Sequence, residues 1–153
     1  MTGLEFPDIS PIMFSIGPVA VRWYSMAYLF GILAGWYLIN RNVKKYDLGL
    51  SRTNVEDMVF YLTLGIILGG RLGYVLFYGK GYFWENPLRI LEIWQGGMSF
   101  HGGVLGVVAA LWLFARKINY GFLRLTDLVV LYAPIGIFCG RLANFVNDEL
   151  WGR

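Results

Sequence analysis

Four long apolar runs, separated by short polar segments, dominate the pattern along the chain. They lie at about 19–39, 58–78, 98–115 and 127–146. Each run is close to the roughly 20 residues that a helix needs to cross a bilayer core. Because a helix pairs its own backbone groups, it is one of the few structures that lipid tolerates. The pattern predicts an all-α polytopic membrane protein with four transmembrane helices, forming a single membrane domain over 1–153.

A weaker amphipathic stretch lies between the second and third runs. Residues 82–97 read YFWENPLRILEIWQGG, in which Leu88 and Leu91 share a helical face. Trp84 and Trp94 are typical of the headgroup zone at a membrane surface. We therefore predict a short interfacial helix in this segment.

Glycines recur four residues apart within every run, a spacing that lets helix backbones approach closely. The sets are Gly31/Gly35, Gly65/Gly69/Gly73, Gly102/Gly106 and Gly136/Gly140. Close packing of the helices is sufficient to explain them, so we predict that these glycines lie at contacts between helices.

Composition agrees with a membrane protein, and the charge distribution orients it. Hydrophobic residues make up 57% of the 153 positions, the mean hydropathy is +0.53, and only 15% of residues are charged. Seven basic residues follow the first and third runs, whereas two lie between the second and third. They are Arg41, Lys44, Lys45, Arg52, Arg116, Lys117 and Arg124 against Lys80 and Arg89. This positive-inside bias places the N-terminus and segment 82–97 outside, and it accounts for the net charge of +3 without a nucleic-acid partner.

Cysteine usage narrows the chemistry further. The single cysteine, Cys139, lies within the fourth run, where it is typical of a small buried hydrophobic residue. One cysteine excludes an internal disulfide framework and a cysteine cluster for metal. We expect no metal and no cofactor.

Unusual polar residues interrupt the apolar runs, and the orientation brings them all toward the outer leaflet. They are Arg22, Arg71, His101, Arg141, Asn144, Asn147, Asp148 and Glu149, and Tyr24 lies at the same end of the first run. An arginine within a membrane span costs several kcal/mol unless it is paired or hydrated, so it indicates a functional site. The alternative is that the two arginines snorkel to the surface or pair with the two acids.

The residue types indicate a site for a lipid headgroup. The planar guanidinium of Arg141 suits the lipid phosphate that is present at this depth. Asn144 and Asp148 share its helical face and suit the hydroxyl groups of a headgroup. His101 is the one side chain here whose ordinary pKa lies near neutrality, which makes it a candidate general base or acid. A purely structural histidine is the alternative.

Four segments then resemble one family, the bacterial phosphatidylglycerol:prolipoprotein diacylglyceryl transferases. The segments are FSIGPVAVRWYSMAYLFG at 14–31, LGGRLGYVLFY at 68–78, GGMSFHGGVLG at 96–106 and GRLANFVNDELWGR at 140–153. They follow one another in the family's order and span nearly the whole chain. The last segment is similar to the family's signature.

The resemblance implies a multi-pass enzyme of the bacterial cytoplasmic (inner) membrane, with its active site toward the outer leaflet. Such an enzyme transfers the diacylglyceryl group of phosphatidylglycerol to the thiol of the lipobox cysteine in the signal peptide of a preprolipoprotein. The product is a thioether, and glycerol phosphate is released. The expected catalytic residues are His101 and Arg141, and the expected substrate-binding residues are Arg141, Asn144, Glu149, Tyr24, Arg71 and Asn147.

Two further expectations concern length and an alternative function. Because family members continue beyond the signature, we expect this chain to be the N-terminal half of the family's length. The alternative is a non-catalytic lipid-binding membrane subunit or a small transporter. A transporter needs polar residues in the inner halves of its spans, but positions 26–39 and 104–115 are almost wholly apolar. The apolar inner halves favour the transferase.

Overall fold

The computed structural model describes residues 9–17, 19–79, 81–93 and 96–147. The described chain is mostly helical, with one short hairpin of strands before the first helix. The strands are β1 (Ile12–Ile16) and β2 (Val19–Arg22). The helices are α1 (Trp23–Tyr46), α2 (Arg52–Tyr78), α3 (Tyr82–Glu85), α4 (Phe100–Lys117), α5 (Phe122–Val130) and α6 (Ala133–Val146), with a 3-10 helix at Pro87–Leu91.

The hairpin corrects the all-α prediction at the start of the first run. β1 and β2 pair antiparallel, and Gly17 has a φ of +59° at the turn between them. The first run therefore begins as a strand, and α1 begins only at Trp23, whose N–H donates to the Pro11 carbonyl at 3.2 Å. An apolar stretch of four or five residues does not distinguish strand from helix by itself, whereas β-branched side chains and a left-handed glycine favour a hairpin.

The second and third runs are helical, as predicted. α2 begins six residues before the predicted start because Ser51 caps it, its Oγ accepting a hydrogen bond from the Asn54 N–H at 3.0 Å. α4 begins in the same way, with Ser99 Oγ accepting from the Gly102 N–H at 3.2 Å. A serine that supplies an acceptor to the first turn is a strong start signal for a helix.

The fourth run is divided into two helices, which corrects the prediction of one uninterrupted span. α5 ends at Val130 and α6 begins at Ala133, with a turn at Leu131 and Tyr132 between them. Pro134 occupies the first turn of α6. Because proline cannot donate a backbone hydrogen bond and its ring collides with the preceding turn, it starts a helix more readily than it continues one.

Segment 82–97 is also not the single interfacial helix that was predicted. It contains α3 and the 3-10 helix Pro87–Leu91, and Asn86 between them has an extended backbone with φ −133° and ψ 67°. The residue before a proline is disfavoured in the helical region, so the helix ends at Asn86. Trp94 lies outside the described residues.

Two helical segments are long and apolar enough to cross a membrane. They are Arg52–Tyr78, with 27 residues, and Phe122–Val146, with 25 residues, each with a mean hydropathy of 1.7. Only 17% of the most apolar part of each is buried within the chain. Apolar helices that a chain leaves largely uncovered need an apolar environment from outside. The sequence predicted four spans, and two of them meet this test among the described residues.

Glycines hold α2 and α4 against each other, which confirms the glycine prediction for these helices. A Cβ added at Gly69 would lie 2.4 Å from the Gly102 carbonyl oxygen, and one at Gly65 would lie 2.5 Å from that of Gly106. One at Gly73 would lie 2.8 Å from the Gly102 Cα. Since partners on α4 fall in number as those on α2 rise, the helices run antiparallel.

The chain divides into two compact units, each described here by itself. One comprises Met1–Arg41 and Val129–Arg153, and the other comprises Asn42–Leu128. In the first unit, α1 and α6 approach closely, because a Cβ at Gly31 would lie 3.0 Å from the Gly136 Cα. The second unit contains the α2–α4 pair.

Candidate active site

The first unit contains the candidate headgroup residues of α6. Arg141 and Asn144 are three residues apart on this helix and therefore share a face, and Arg141 is exposed. Asn144 is only 9% exposed, and its Oδ1 is buried without a hydrogen-bond partner among the described residues. A buried acceptor that no protein group satisfies costs about 1–3 kcal/mol and indicates either strain or a missing ligand.

Asn147 and Glu149 extend the same candidate set, but the structure describes only one of them. Asn147 is the C-terminal cap of α6, with its N–H donating to the Ala143 carbonyl at 3.0 Å. Glu149 and the neighbouring Asp148 lie outside the described residues. The predicted roles of Asn147 and Glu149 stay predictions.

Tyr24 lies in the first turn of α1, in the same unit as Arg141 and Asn144. Its hydroxyl is 3.4 Å from that of Tyr28, one turn later, and the two rings are 5.1 Å apart between centroids. Two phenols at this spacing share one hydrogen bond and leave further donor and acceptor capacity. The pair places two hydroxyl groups near the start of α1.

The second unit contains His101, in the first turn of α4. Its side chain is exposed, and its ring meets that of Phe100 edge to face, with centroids 5.8 Å apart. Ser99 caps the helix beside it, and Gly102 and Gly103 follow it. The cap and the two small neighbours leave the imidazole accessible, as a general base must be to reach its substrate.

Arg71 is the buried charge of the second unit, with only 6% of it exposed. Its guanidinium donates to four backbone carbonyls and makes no ion pair with any described residue. The rings of Phe83 and Tyr74 lie near its Cζ, with centroids at 5.3 and 5.9 Å. The sequence predicted a substrate-binding role for Arg71. In the structure four hydrogen bonds of its guanidinium go to backbone carbonyls, and the substrate-binding role stays a prediction.

Arg71 and His101 lie at the same end of the α2–α4 pair. The Ser99 N–H donates to the carbonyl of Gly70 at 2.8 Å, which joins the residue before Arg71 to the cap of α4. Since the helices are antiparallel, the positions around 71 and 101 are adjacent levels of one packed pair. Two of the candidate residues are therefore brought to one end of one unit.

A cavity of about 290 Å³ lies beside Arg71. Besides Arg71, the residues that line it are Tyr74, Tyr78, Gly79, Tyr82, Phe83, Arg89, Glu92 and Gly96. Most of these were not predicted from the sequence as site residues. The rings of Tyr74 and Tyr78 stack with centroids 5.8 Å apart, and the Arg89 guanidinium bonds the Tyr82 hydroxyl. A signal was present in the sequence, because tyrosines recur four residues apart at 74, 78 and 82 beside two arginines.

Nothing among the described residues forms a metal site, since no three His, Cys, Asp or Glu side chains come together there. Cys139 is buried, consistent with its interpretation as a small core residue. The chemistry of the described site residues is therefore that of arginine, amide, phenol and imidazole groups. These groups bind phosphate, pair with hydroxyls and move protons.

Comparison with known proteins extends over the same residues. The family model described as prolipoprotein diacylglyceryl transferase matches residues 11–153. The phosphatidylglycerol–prolipoprotein diacylglyceryl transferase of Rickettsia canadensis is 51% identical over 148 residues, which are 97% of this chain and 57% of that protein. The proteins of the same name from Rickettsia felis and Rickettsia bellii are 51% and 47% identical over 150 residues, covering 98% of this chain.

The chain spans just under three fifths of the length of these curated relatives, 57% or 58% of each. The matched region includes the second unit, the first unit from residue 11 onward, and every candidate residue from Tyr24 to Glu149. The chain belongs to the prolipoprotein diacylglyceryl transferase family, a family of bacterial membrane enzymes.

Proposed function

We propose that this chain forms the N-terminal part of an enzyme that transfers the diacylglyceryl group of phosphatidylglycerol to the lipobox cysteine of preprolipoproteins. The proposal rests on the family match over residues 11–153, together with 51% sequence identity to two proteins named for this activity. The substrates are a lipid and a membrane-anchored signal peptide. An enzyme with a largely apolar exterior meets both of them in the bilayer.

The chain crosses the bacterial inner membrane four times as a single membrane domain, with its N-terminus outside. Exposed apolar side chains on α1 and α4 support the two spans beyond α2 and α5–α6, because Phe30 and Leu105 are 63% and 67% exposed. Both of these helices end in basic residues, Lys44 and Lys45 on α1 and Arg116 and Lys117 on α4. Basic residues at these two ends mark the cytoplasmic side.

Arg141 binds the phosphate of the lipid, and Asn144 binds its glycerol headgroup. A guanidinium offers paired donors to phosphate oxygens and stabilises the charge that grows on them as the phosphate leaves. The buried Oδ1 of Asn144 has no donor among the described residues, and a headgroup hydroxyl supplies one. Asn147 and Glu149 extend this set along the same part of the chain.

Tyr24 lies at the depth of these headgroup residues. Gly31 and Gly136 mark where α1 and α6 approach each other. Tyr24 precedes Gly31 by seven residues and Asn144 follows Gly136 by eight, or about 10 and 12 Å along the two helices. Because α1 enters the membrane and α6 leaves it, both displacements lead toward the outer surface. Tyr24 therefore contributes its hydroxyl to the headgroup end of this unit.

His101 takes the proton of the attacking thiol. A free cysteine has a pKa near 8.5, so a base or a cationic field is needed to generate the thiolate. The sulfur then forms a bond to the glycerol carbon that carries the phosphate, and the bond from that carbon to the phosphate oxygen breaks. Glycerol phosphate leaves with the electron pair, and the thiol proton remains on the imidazole.

The test uses membranes carrying the natural protein, labelled phosphatidylglycerol and a peptide with a lipobox cysteine. We expect His101→Ala and Arg141→Ala each to lower the transfer rate by at least about a hundredfold, because each removes a group that acts in the transition state. The measurement is the labelled thioether on the peptide, resolved by mass spectrometry.

Matched controls separate the site from the membrane context. Leu105→Ala changes an exposed side chain one turn after His101, and Arg41→Ala removes an arginine near the cytoplasmic end of α1. Both variants should transfer at near the wild-type rate. Wild-type rates from His101→Ala and Arg141→Ala would remove the proposed roles, and lipid binding without any transfer would favour a lipid-binding subunit instead.

A further inference from the structure

The main-chain carbonyls around Arg71 are those of the segment that leads into α4. Its Nε donates to the Ile90 carbonyl at 2.8 Å and its Nη2 to that of Arg89 at 2.7 Å. Its Nη1 donates to the Gly96 carbonyl at 2.6 Å and to that of Gly97 at 3.3 Å. One guanidinium therefore binds both ends of the segment 89–97.

This segment needs such a donor. Between the 3-10 helix Pro87–Leu91 and α4, the described residues form no strand and only Ile93 has a 3-10 conformation. Gly96 and Gly97 have φ values of +84° and +80°. Carbonyls outside regular structure must find donors when they are withdrawn from water. Arginine offers five N–H donors in a rigid plane, and the guanidinium of Arg71 makes four hydrogen bonds to these carbonyls. The positions of the carbonyls at 89, 90, 96 and 97 are thus determined largely by one side chain of α2.

The segment leads directly into the cap of α4. Ser99 follows Gly97 by two residues, and its N–H is bonded to the Gly70 carbonyl of α2. Its Oγ accepts from the Gly102 N–H, so the first turn of α4 is formed around it. His101 is the second residue of that turn. The direction in which its side chain leaves α4 depends on the contacts at positions 70 and 71.

We propose that Arg71 is a positioning residue for His101 and does not bind the lipid. By holding segment 89–97 at four carbonyls, it determines where α4 begins and which way the imidazole faces. The inference rests on the proposed function only in taking His101 as the base. This role also accounts for the burial of the charge. Four carbonyl acceptors stabilise the guanidinium in place of the carboxylate that usually pairs with a buried arginine.

A lipid-binding arginine and a positioning arginine predict different kinetics. Loss of a phosphate ligand raises the KM for phosphatidylglycerol, and lysine partly replaces it because the charge is kept. Loss of a positioning group lowers kcat at an unchanged KM, because a displacement of about 1 Å at a reacting group can cost a hundredfold in rate. Lysine does not replace a positioning arginine here, because one ammonium group cannot reach the carbonyls at 89–90 and at 96–97 at the same time.

The experiment compares Arg71→Lys and Arg71→Gln with wild type in the natural full-length protein. We expect kcat to fall at least about tenfold in both variants while the KM for phosphatidylglycerol stays within about twofold. The second measurement needs no substrate. It is the rate at which diethyl pyrocarbonate modifies His101 as a function of pH, followed by mass spectrometry of the peptide that carries it. We expect both variants to shift this profile.

A second pair consists of one variant that disturbs the same segment without changing its charge, and a control. A Cβ at Gly97 would lie 2.5 Å from the Tyr74 ring, so Gly97→Ala should reproduce the loss of kcat and the altered His101 profile. Gly49→Ala is the matched control, since Gly49 also has a positive φ of +70° but has nothing within 4 Å of an added Cβ. It lies before α2, roughly 30 Å along that helix from Arg71, and should change neither quantity.

The outcomes are distinguishable. A wild-type His101 profile in Arg71→Gln and Gly97→Ala overturns the positioning role, as does a raised KM with unchanged kcat or full activity in Arg71→Lys. If the wild-type protein transfers no diacylglyceryl group, the proposed function fails, but the His101 profile still reports whether Arg71 positions the imidazole. If Arg71→Gln does not accumulate, Gly97→Ala and the lysine variant decide the question.

Discussion

The two buried polar side chains that matter most, Arg71 and Asn144, are in opposite situations. Arg71 donates four hydrogen bonds to backbone carbonyls, whereas the Oδ1 of Asn144 accepts no hydrogen bond from the described residues. A satisfied buried group stabilises the structure around it, and an unsatisfied one costs free energy that a ligand can recover. The first therefore points to a structural task and the second to a binding task.

Replacing Asn144 by leucine, which has the same branching at Cγ and no polar side-chain atom, should separate stability from function. Because the variant removes an unsatisfied buried acceptor, we expect its unfolding temperature in detergent to stay the same or to rise by a few degrees. We also expect the KM for phosphatidylglycerol to rise at least about tenfold, because the headgroup loses its acceptor. Thermal unfolding and transfer kinetics on the same preparations provide the comparison.

Asn40 supplies the matched control for that experiment. Its side-chain amide donates to the Trp36 carbonyl at 3.0 Å on α1, so Asn40→Leu removes a hydrogen bond that the protein makes. It should lower the unfolding temperature slightly and leave the KM unchanged. The reverse result, a destabilised Asn144→Leu protein with normal lipid affinity, would show that Asn144 is structural.

Lys117 gives a prediction about pH. Its Nζ donates to Asp57 Oδ2 at 3.0 Å, and this hydrogen bond to the carboxylate raises the pKa of Lys117, with burial opposing the shift. A raised lysine pKa stabilises the folded state fully below the ordinary lysine value, and that contribution is lost as pH rises through the raised value. We expect the small stability difference between wild type and Lys117→Met to be constant from about pH 7 to 9 and to shrink above about 10.5.

At the scale of elements, the antiparallel contact of α2 and α4 depends on missing side chains. The apolar surfaces of the two helices would pack in many registers, but their glycines leave backbone facing backbone at positions 65, 69 and 73. Small residues that let helices approach are a common basis of association in membranes, where burial of apolar surface gives no advantage over lipid. The register of this pair is what brings Arg71 level with the cap of α4.

Gly69→Ala should therefore disrupt the pair. Its added Cβ would lie 2.4 Å from the Gly102 carbonyl oxygen and 2.7 Å from the Gly106 Cα, and neither backbone atom can move unless the helices separate. We expect a loss of about 1–3 kcal/mol or more in unfolding free energy. Thermal unfolding in detergent and hydrogen exchange of α4 amides both report it.

Gly103→Ala, on the facing helix α4, is the matched control. The nearest atom to an added Cβ there is the Ile66 carbonyl oxygen at 3.8 Å, which is an ordinary contact. Since alanine favours helix over glycine by roughly 0.5–1 kcal/mol, this variant should be as stable as wild type or more stable. A loss at Gly103 as large as the loss at Gly69 would contradict the role of the close contact between α2 and α4.

At the scale of the whole molecule, the proposal of four membrane crossings rests on four long helical segments. Exposed apolar surface covers all of them, with Leu68 and Phe138 on α2 and α6 about as exposed as Phe30 and Leu105 on α1 and α4. The basic ends of α1 and α4 give the direction. Both observations support the proposed arrangement of four crossings with the N-terminus outside.

Single introduced cysteines test this arrangement. Cys139, the one native cysteine, is first replaced by alanine. We then expect Leu88→Cys, at an 80% exposed position, and Ser10→Cys to react with a membrane-impermeant maleimide in intact spheroplasts. Lys45→Cys and Arg124→Cys should react only after the membrane is opened. Labelling of Lys45→Cys from outside would contradict the orientation.

Much of the architecture could be predicted because it depends on local composition. A helix in lipid needs only a sufficient apolar length, and α2 and α4 were predicted from that property within six residues at either end. The hairpin before α1 and the breaks at Asn86 and Leu131 were missed. They depend on single turn residues, Gly17 and the two prolines that follow the breaks, which an average over 20 residues hides.

The sequence by itself determined that this is a membrane protein, the family to which it belongs and the residue types of its candidate site. Those properties are carried by composition, charge and short motifs, each of which can be read without knowing what lies beside it. Only the tertiary structure decided what Arg71 bonds and in which register α2 meets α4. A guanidinium can donate to carboxylate, phosphate or carbonyl oxygens, so its task depends on which acceptor the rest of the chain brings within hydrogen-bond distance of it.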